Sequence, residues 1–276
     1  MTRTSTSPGF ATVALPVRLW RLTRLTLHVF GGLVRVLTVF PRYTPARRHQ
    51  MQRDWSRRLM TILNIRLRVL GSPPAALYPA NTLLVANHVS WLDIFALNSV
   101  TITRFVAKSE IRRWPVLGTL VTRAGTLYID RGNRRDAARI NLNMAKALRE
   151  GDCIGLFPEG TTSDGLSLLP FKASLFDAAA KAHATVQPVT LRFMNADNSI
   201  SQAASYVGNT SLLQSIWMLA SARGQVVELF FGHPLCAEGH SRFELCEHAF
   251  REISAGLSLS SETLGTLAET PCDLPV

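Results

Sequence analysis

The chain has 276 residues, 47% of them hydrophobic, which is enough for one large domain, or a domain and an appendage, around a sizeable core. Its net charge of +11 is local: residues 1 to 70 hold 13 of the 30 Lys and Arg against one acid, Asp54 (+12), while residues 71 to 276 hold 17 bases and 18 acids (−1). The Leu, Val, Phe and Trp that dominate Leu15 to Phe40 argue against a nucleic-acid arm, and Cys153, Cys236, Cys246 and Cys272 have neither metal-ligand nor redox-pair spacing, so no metal site is expected.

Residues 1 to 9 are Ser/Thr-rich and are expected to be disordered. Residues 16 to 40 read as a helix on which Arg21, Arg24, His28 and Arg35 share a narrow arc with Gly31 and Gly32 nearby, the rest being Leu, Val, Trp and Phe. That pattern suits a helix lying in a membrane interface, its apolar side chains among acyl chains and its arginines at the headgroups. A spanning helix needs about 20 largely uncharged residues. The cleanest run, Leu25 to Phe40, has 16 and contains His28 and Arg35. No small-x-small site follows it, as a cleaved signal peptide would require. After Pro41 and Pro45, a second helix from Ala46 to Leu63 carries Arg47, Arg48, Arg53, Arg57 and Arg58, with Met51, Trp55 and Leu59 at helical spacing. Residues 1–64 are thus expected to form a basic, two-helix membrane dock, residues 65–255 the main domain and residues 256–276 a flexible tail.

From Ile65 onward strand and helix patterns alternate. Strands are predicted at Ile65 to Leu70, Leu83 to Ala86, Arg104 to Ala107, Thr126 to Ile129, Cys153 to Phe157, Val186 to Phe193 and Val226 to Phe231. Helices are predicted at Trp91 to Leu97, Trp114 to Arg123, Asp136 to Glu150, Phe171 to Ala182 and Arg242 to Ser254. The alternation predicts an α/β fold, a mostly parallel sheet flanked by helices. Three polar clusters, His88 to Asp93, Asp130-Arg131 and Glu159-Gly160, fall at the C-terminal ends of predicted strands, where open α/β sheets place ligands.

Within the first cluster, Asn87-His88-Val89-Ser90-Trp91-Leu92-Asp93, a carboxylate five positions after a strand-end histidine can fold back to one ring nitrogen. It then fixes the tautomer and makes the other nitrogen a better base. The same spacing also suits a capped helix beside a structural histidine, so the pair alone does not decide.

Four motifs in order decide it: Asn-His-x-Ser-x-x-Asp at Asn87 to Asp93, Gly-x-x-Tyr-Ile-Asp-Arg at Gly125 to Arg131, Phe-Pro-Glu-Gly-Thr at Phe157 to Thr161, and Val-x-Pro-Val at Val186 to Val189. Over about residues 65 to 235 the chain resembles the glycerolipid acyltransferases of the lysophosphatidate acyltransferase type. The resemblance implies transfer of a fatty acyl group from acyl-ACP or acyl-CoA, a co-substrate rather than a cofactor, to the free hydroxyl of a lysolipid. It makes His88 the general base and Asp93 its orienting partner, without an enzyme nucleophile; no Gly-x-Ser-x-Gly elbow occurs. It also implies that Arg131 binds the acceptor's acidic head, with Glu159, Gly160 and Thr161 completing the acceptor site. Its partners would be membrane lipids, a lysolipid acceptor and the thioester carrier, with no nucleic acid, at the cytoplasmic face of the inner membrane.

One departure bears on the acceptor. Phosphatidate-forming members commonly follow Phe-Pro-Glu-Gly-Thr with Arg-Ser; here Thr162-Ser163-Asp164-Gly165 follows, which resembles the lyso-ornithine lipid branch and related lysophospholipid acyltransferases, and one cation is lost. Lysophosphatidate is the first expectation, lyso-ornithine lipid the second, and a non-catalytic lipid-binding protein of the same fold the third.

Overall fold

In a computed structural model of the chain, residues 10–129 and 134–258 are described; the Ser/Thr-rich residues 1–9, Asp130-Arg131 and the tail after Ser258 lie outside them. An eight-stranded sheet has the order β1-β7-β6-β2-β5-β3-β4, with β8 on β6. Its strands are β1 (Ile65–Gly71), β2 (Thr82–Ala86), β3 (Arg104–Lys108), β4 (Leu127–Ile129), β5 (Cys153–Leu156), β6 (Thr185–Asn195), β7 (Gln225–Phe231) and β8 (Leu235–Cys236). Neighbours from β6 to β4 are parallel, as the alternation of strands and helices requires. β7 runs antiparallel to β6, and β1 lies parallel to β7, so this end of the sheet is mixed.

Helices cover both faces. On one lie α1 (Leu15–Thr38), α2 (Pro45–Ile62), α3 (Asp93–Asn98) and α7 (Leu212–Ser221), whose Leu25, Leu59, Ala96 and Leu219 share a core with β6 and β7. On the other lie α5 (Arg134–Arg149), α6 (Asp177–Ala182) and α8 (Arg242–Ser258), with Ile140, Met144, Ala178 and Leu245 packed against β2 and β5. Strands β2 and β5 are buried along their whole length, which is why both read as unbroken apolar runs. Pro188 stands inside β6 between the residues that pair with β8 and those that pair with β7. A missing N–H is tolerated there, and its carbonyl accepts from Gly232.

Three predicted elements shift for local reasons. The helix expected from Trp114 begins as α4 (Leu117–Arg123), after Pro115 and a Val116 with φ of +64°. The helix expected from Phe171 is a 3-10 turn, Ala173–Phe176, followed by the short α6, because Lys172 N–H is held by Pro158 O. The last helix continues to Ser258, four residues past the predicted end and three into the expected tail. α7 and β8 were not predicted.

The N-terminal reading needs a correction. Part of the polar stripe of α1, Arg21, His28 and Gly32, faces the protein rather than headgroups, while Gly31 and Arg35 are exposed and Arg24 is half-buried. Arg21 is buried, its guanidinium donating to the carbonyls of Ala220 (3.1 Å) and Ala222 (2.7 Å). His28 stacks on Trp55 with ring centroids 4.6 Å apart and hydrogen-bonds its carbonyl through Nε2. Gly32 lies so close that a Cβ there would come within 2.6 Å of Trp55 Nε1. Gly32 allows this approach, and the large apolar side chains, among them Leu19, Trp20, Leu27, Phe30 and Val34, are turned outward and exposed. No described helix is long and apolar enough to cross a membrane.

Candidate active site

Parallel strands β2 and β5 are neighbours in register, Val85 opposite Leu156, so the chain leaves both at the same edge of the sheet, side by side. The first loop carries His88 and the second Phe157 to Ser163. Asn87 anchors the first loop: its side chain donates to Leu191 O (3.0 Å) and accepts from Leu191 N (2.7 Å) on β6.

Asp93 opens α3 and folds back. Its Oδ2 accepts from the backbone N–H groups of Val89 (2.7 Å) and Ser90 (2.9 Å) and lies 2.7 Å from His88 Nδ1. These donors explain why the helix starts at Asp93 rather than Trp91: residues 89 and 90 turn around the carboxylate. Asp93 is fully buried and His88 is 21% exposed at its side chain. Among the described residues, Nε2 of His88 has no hydrogen-bond partner. With the proton of Nδ1 held by Asp93, Nε2 carries the lone pair.

The loop after β5 fixes the histidine's backbone from both sides. Glu159 Oε1 accepts from His88 N–H (2.7 Å), and Oε2 accepts from Leu169 N–H (3.0 Å). The carbonyl of His88 accepts from Ser163 N–H (2.7 Å). The ring itself lies flat on Phe157, centroids 4.1 Å apart and planes 11° apart, and Phe157 stacks in turn on Phe105. Burial pushes the Glu159 carboxyl above the ordinary glutamate value, while the two backbone donors and the neighbouring His88 pull it back.

Of the residues singled out from sequence, His88, Asp93 and Glu159 are thus brought together, and Glu159 spends both oxygens on backbone donors. Gly160 follows with φ of +75°, in the left-handed region that favours glycine. Thr161 is exposed. Arg131 lies outside the described residues; β4, which ends at Ile129, stands three strands from β2, about 14 Å at the usual strand spacing. Thr162, where the departure lies, donates through its hydroxyl to Tyr206 O.

Sequence reading passed over several residues of this edge. Ser163 and Phe157 lie in or beside a motif that it took for acceptor binding. Lys172 comes back over the loop: a Cβ on Gly160 would lie 2.5 Å from its Nζ. The side chain is exposed and forms no ion pair among the described residues. Nothing in the spacing of Gly160 and Lys172 signals this approach, because the intervening loop is irregular.

Comparison with known proteins bears on the reaction. Residues 73–192 match the family model described as Acyltransferase. A 1-acyl-sn-glycerol-3-phosphate acyltransferase of Neisseria meningitidis is 36% identical over 242 residues, 86% of this chain and 92% of the relative. A lyso-ornithine lipid O-acyltransferase of Pseudomonas aeruginosa is 35% identical over 223 residues, 81% of this chain and 82% of the relative. Among solved structures, the 1-acyl-sn-glycerophosphate (LPA) acyltransferase PlsC from Thermotoga maritima superposes with a TM-score of 0.65 over 90% of this chain and 97% of its own; at 21% identity the likeness is one of fold.

Proposed function

The chain belongs to the acyltransferase family, and from that premise we propose that it moves a fatty acyl group from acyl-ACP or acyl-CoA to the free hydroxyl of 1-acyl-sn-glycerol-3-phosphate, giving phosphatidate. The observation that carries the mechanism is the 2.7 Å contact between His88 Nδ1 and Asp93 Oδ2, with Nε2 without a hydrogen-bond partner among the described residues at a partly exposed edge. Nε2 takes the hydroxyl proton as the oxygen attacks the thioester carbonyl. The tetrahedral intermediate collapses by breaking the carbon–sulfur bond, and the departing thiolate takes the proton back from the imidazolium. Asp93 stabilises that imidazolium, and Glu159 and Ser163 hold the histidine's backbone in place. Arg131 binds the acceptor's acidic head, Gly160 and Thr161 line its site, and Lys172 adds a second cation above Gly160.

A second acceptor, lyso-ornithine lipid, is favoured by one observation: the hydroxyl of Thr162 is committed to Tyr206 O and supplies no cation, and the Pseudomonas relative acts on that acceptor by name. We further propose that the chain docks on an anionic membrane, at the cytoplasmic face of the inner membrane. Support comes from the outward apolar face of α1 and the charge of +12 over residues 1 to 70.

The test is acyl transfer by purified, detergent-solubilised protein, offered acyl-ACP or acyl-CoA with both acceptors side by side and read by mass spectrometry. Phosphatidate as the main product supports the first reading. Acylated ornithine lipid alone replaces it with the second. Neither product, with either donor, overturns both acceptors.

A further inference from the structure

The outward face of α1 does not end with α1. α7 stands about 200 residues later, outside the N-terminal segment, and repeats the same signature. Its inner face buries Ser215, Leu219 and Ala220, while Leu213 and Trp217, one turn apart, are 79% and 40% exposed. They line an open groove of about 500 Å³ with Thr210, Gln214 and Met218. The helix begins in a capping box between Ser211 and Gln214, so Leu213 stands on a fixed first turn and Trp217 on the turn after it.

α7 is bolted to α1. Val13 N–H donates to Ser221 O (2.8 Å), Arg21 holds the carbonyls of Ala220 and Ala222, and the Arg18 guanidinium lies 5.7 Å from the centre of the Trp217 ring. The two apolar faces therefore meet along one edge. The charge there has one sign: from Asn198 to Val227 the sequence has Arg223 and no acid, and α1 contributes Arg18 and Arg24 with no acid. Exposed Trp and Leu with arginine at the rim match the boundary between acyl chains and anionic headgroups.

The inner side of this layer reaches the catalytic loop. Trp91 Nε1 donates to Ser215 Oγ (3.0 Å), and Tyr206 N–H donates to Val89 O (3.0 Å). Trp91 and Val89 flank Ser90 within three residues of His88.

We infer that α7 is a second membrane-contact element, which embeds Leu213 and Trp217 in an anionic leaflet and holds the His88 loop at a fixed height above it. The lysolipid hydroxyl then meets His88 while the acyl tail stays in the leaflet. This inference rests on the membrane docking proposed above.

The test uses the full chain with Cys236→Ser and Cys272→Ser, leaving the buried Cys153 and Cys246, and an environment-sensitive fluorophore on one new cysteine: Leu213→Cys, Leu27→Cys on α1, or Glu247→Cys on α8. Vesicles are phosphatidylethanolamine and phosphatidylglycerol, 1:1, with and without doxyl-labelled lipid. The expected result is a blue shift and quenching at positions 213 and 27 and neither at 247. Quenching at 27 without quenching at 213 overturns the role of α7 and leaves docking standing. No quenching at any position and no flotation of the protein overturns docking, and this inference with it.

A second measurement does not depend on labels. Leu213→Glu with Trp217→Glu should lower vesicle flotation roughly 10-fold and lower acylation of vesicle-embedded lysolipid with it, leaving acylation of a short-chain, water-soluble lysolipid unchanged. If sedimentation instead shows a dimer that this variant dissociates, the face is a protein interface and the inference is wrong.

Discussion

The edge around His88 and the outer layer of α1 and α7 solve opposite problems. At the edge, most of the polar groups that set the histidine are answered by described residues: Oδ2 of Asp93 meets three donors, Glu159 meets two, and the carbonyl of His88 meets Ser163, while Oδ1 of Asp93 is buried without a partner among them. In the outer layer the polar groups are also answered internally, Arg21 by two carbonyls and His28 by Trp55, but the apolar side chains are not. Among the described residues nothing covers these side chains, and an exposed apolar face of this kind marks an interaction site. The two regions should therefore fail differently: the edge through turnover with binding intact, the outer layer through vesicle binding with soluble turnover intact.

The largest separation is expected from His88→Ala. Loss of a general base typically lowers rate 10²–10⁴-fold, so turnover should fall by about 10³ with vesicle flotation unchanged. Turnover kept within about 10-fold would remove His88 from the mechanism. Glu159→Gln comes next. Both carboxylate oxygens accept from backbone N–H groups, and an amide can accept at only one, so either His88 or Leu169 loses its partner. We expect kcat to fall about 10–100-fold with KM for the acceptor little changed, since the effect travels through the position of His88. A rise in KM alone would mean that Glu159 contacts the acceptor instead. The sign of a pH effect follows too. Burial raises the Glu159 carboxyl, so its contribution to stability is present below the ordinary glutamate pKa and is lost as pH rises through the raised value. The difference in Tm between wild type and Glu159→Gln should shrink over that window.

Much of the edge was legible because its determinants are local. The turn from β2 into α3 is set by residues five apart, and the apolar runs of β2 and β5 announce buried strands. The direction of β7 was not legible: its apolar pattern is the same whether it runs with β6 or against it. Nor was the orientation of α1. A polar stripe reads as an outer face by default, but Arg21 and His28 turn inward because the C-terminal end of α7 and Trp55 offer them acceptors, while Arg35 stays exposed. α7 went unread for a related reason. Its buried side includes Ser215 and Ser221 while Leu213 and Trp217 are exposed, so the apolar pattern does not mark which side is packed.

A smaller effect, on selectivity, is expected from Lys172→Met. If its ammonium serves the acceptor's phosphate above Gly160, the change should raise KM for lysophosphatidate about 10-fold, the usual range for one charged hydrogen bond, with kcat nearly constant. The effect on lyso-ornithine lipid should be smaller. Equal effects on both acceptors would mean that Lys172 orders the loop rather than reading the head.

The smallest effect on turnover is expected where the two faces are joined. Arg21→Met leaves the carbonyls of Ala220 and Ala222 without their donor, and unsatisfied buried acceptors are destabilising. The guanidinium is itself held at a desolvation penalty, which lowers its pKa and which the methionine does not incur. The two terms oppose, so the net loss should be only about 1–2 kcal/mol, or roughly 2–6 °C in Tm for a domain of this size. Acylation of a water-soluble lysolipid should be unchanged, since Arg21 touches nothing near His88. Acylation in vesicles should fall no more than about threefold, because Leu25 and Leu219 still bury α1 against α7. A drop in the vesicle assay as large as that of the Leu213→Glu and Trp217→Glu variant would show that the angle between the two helices, more than their apolar surface, places the histidine over the leaflet.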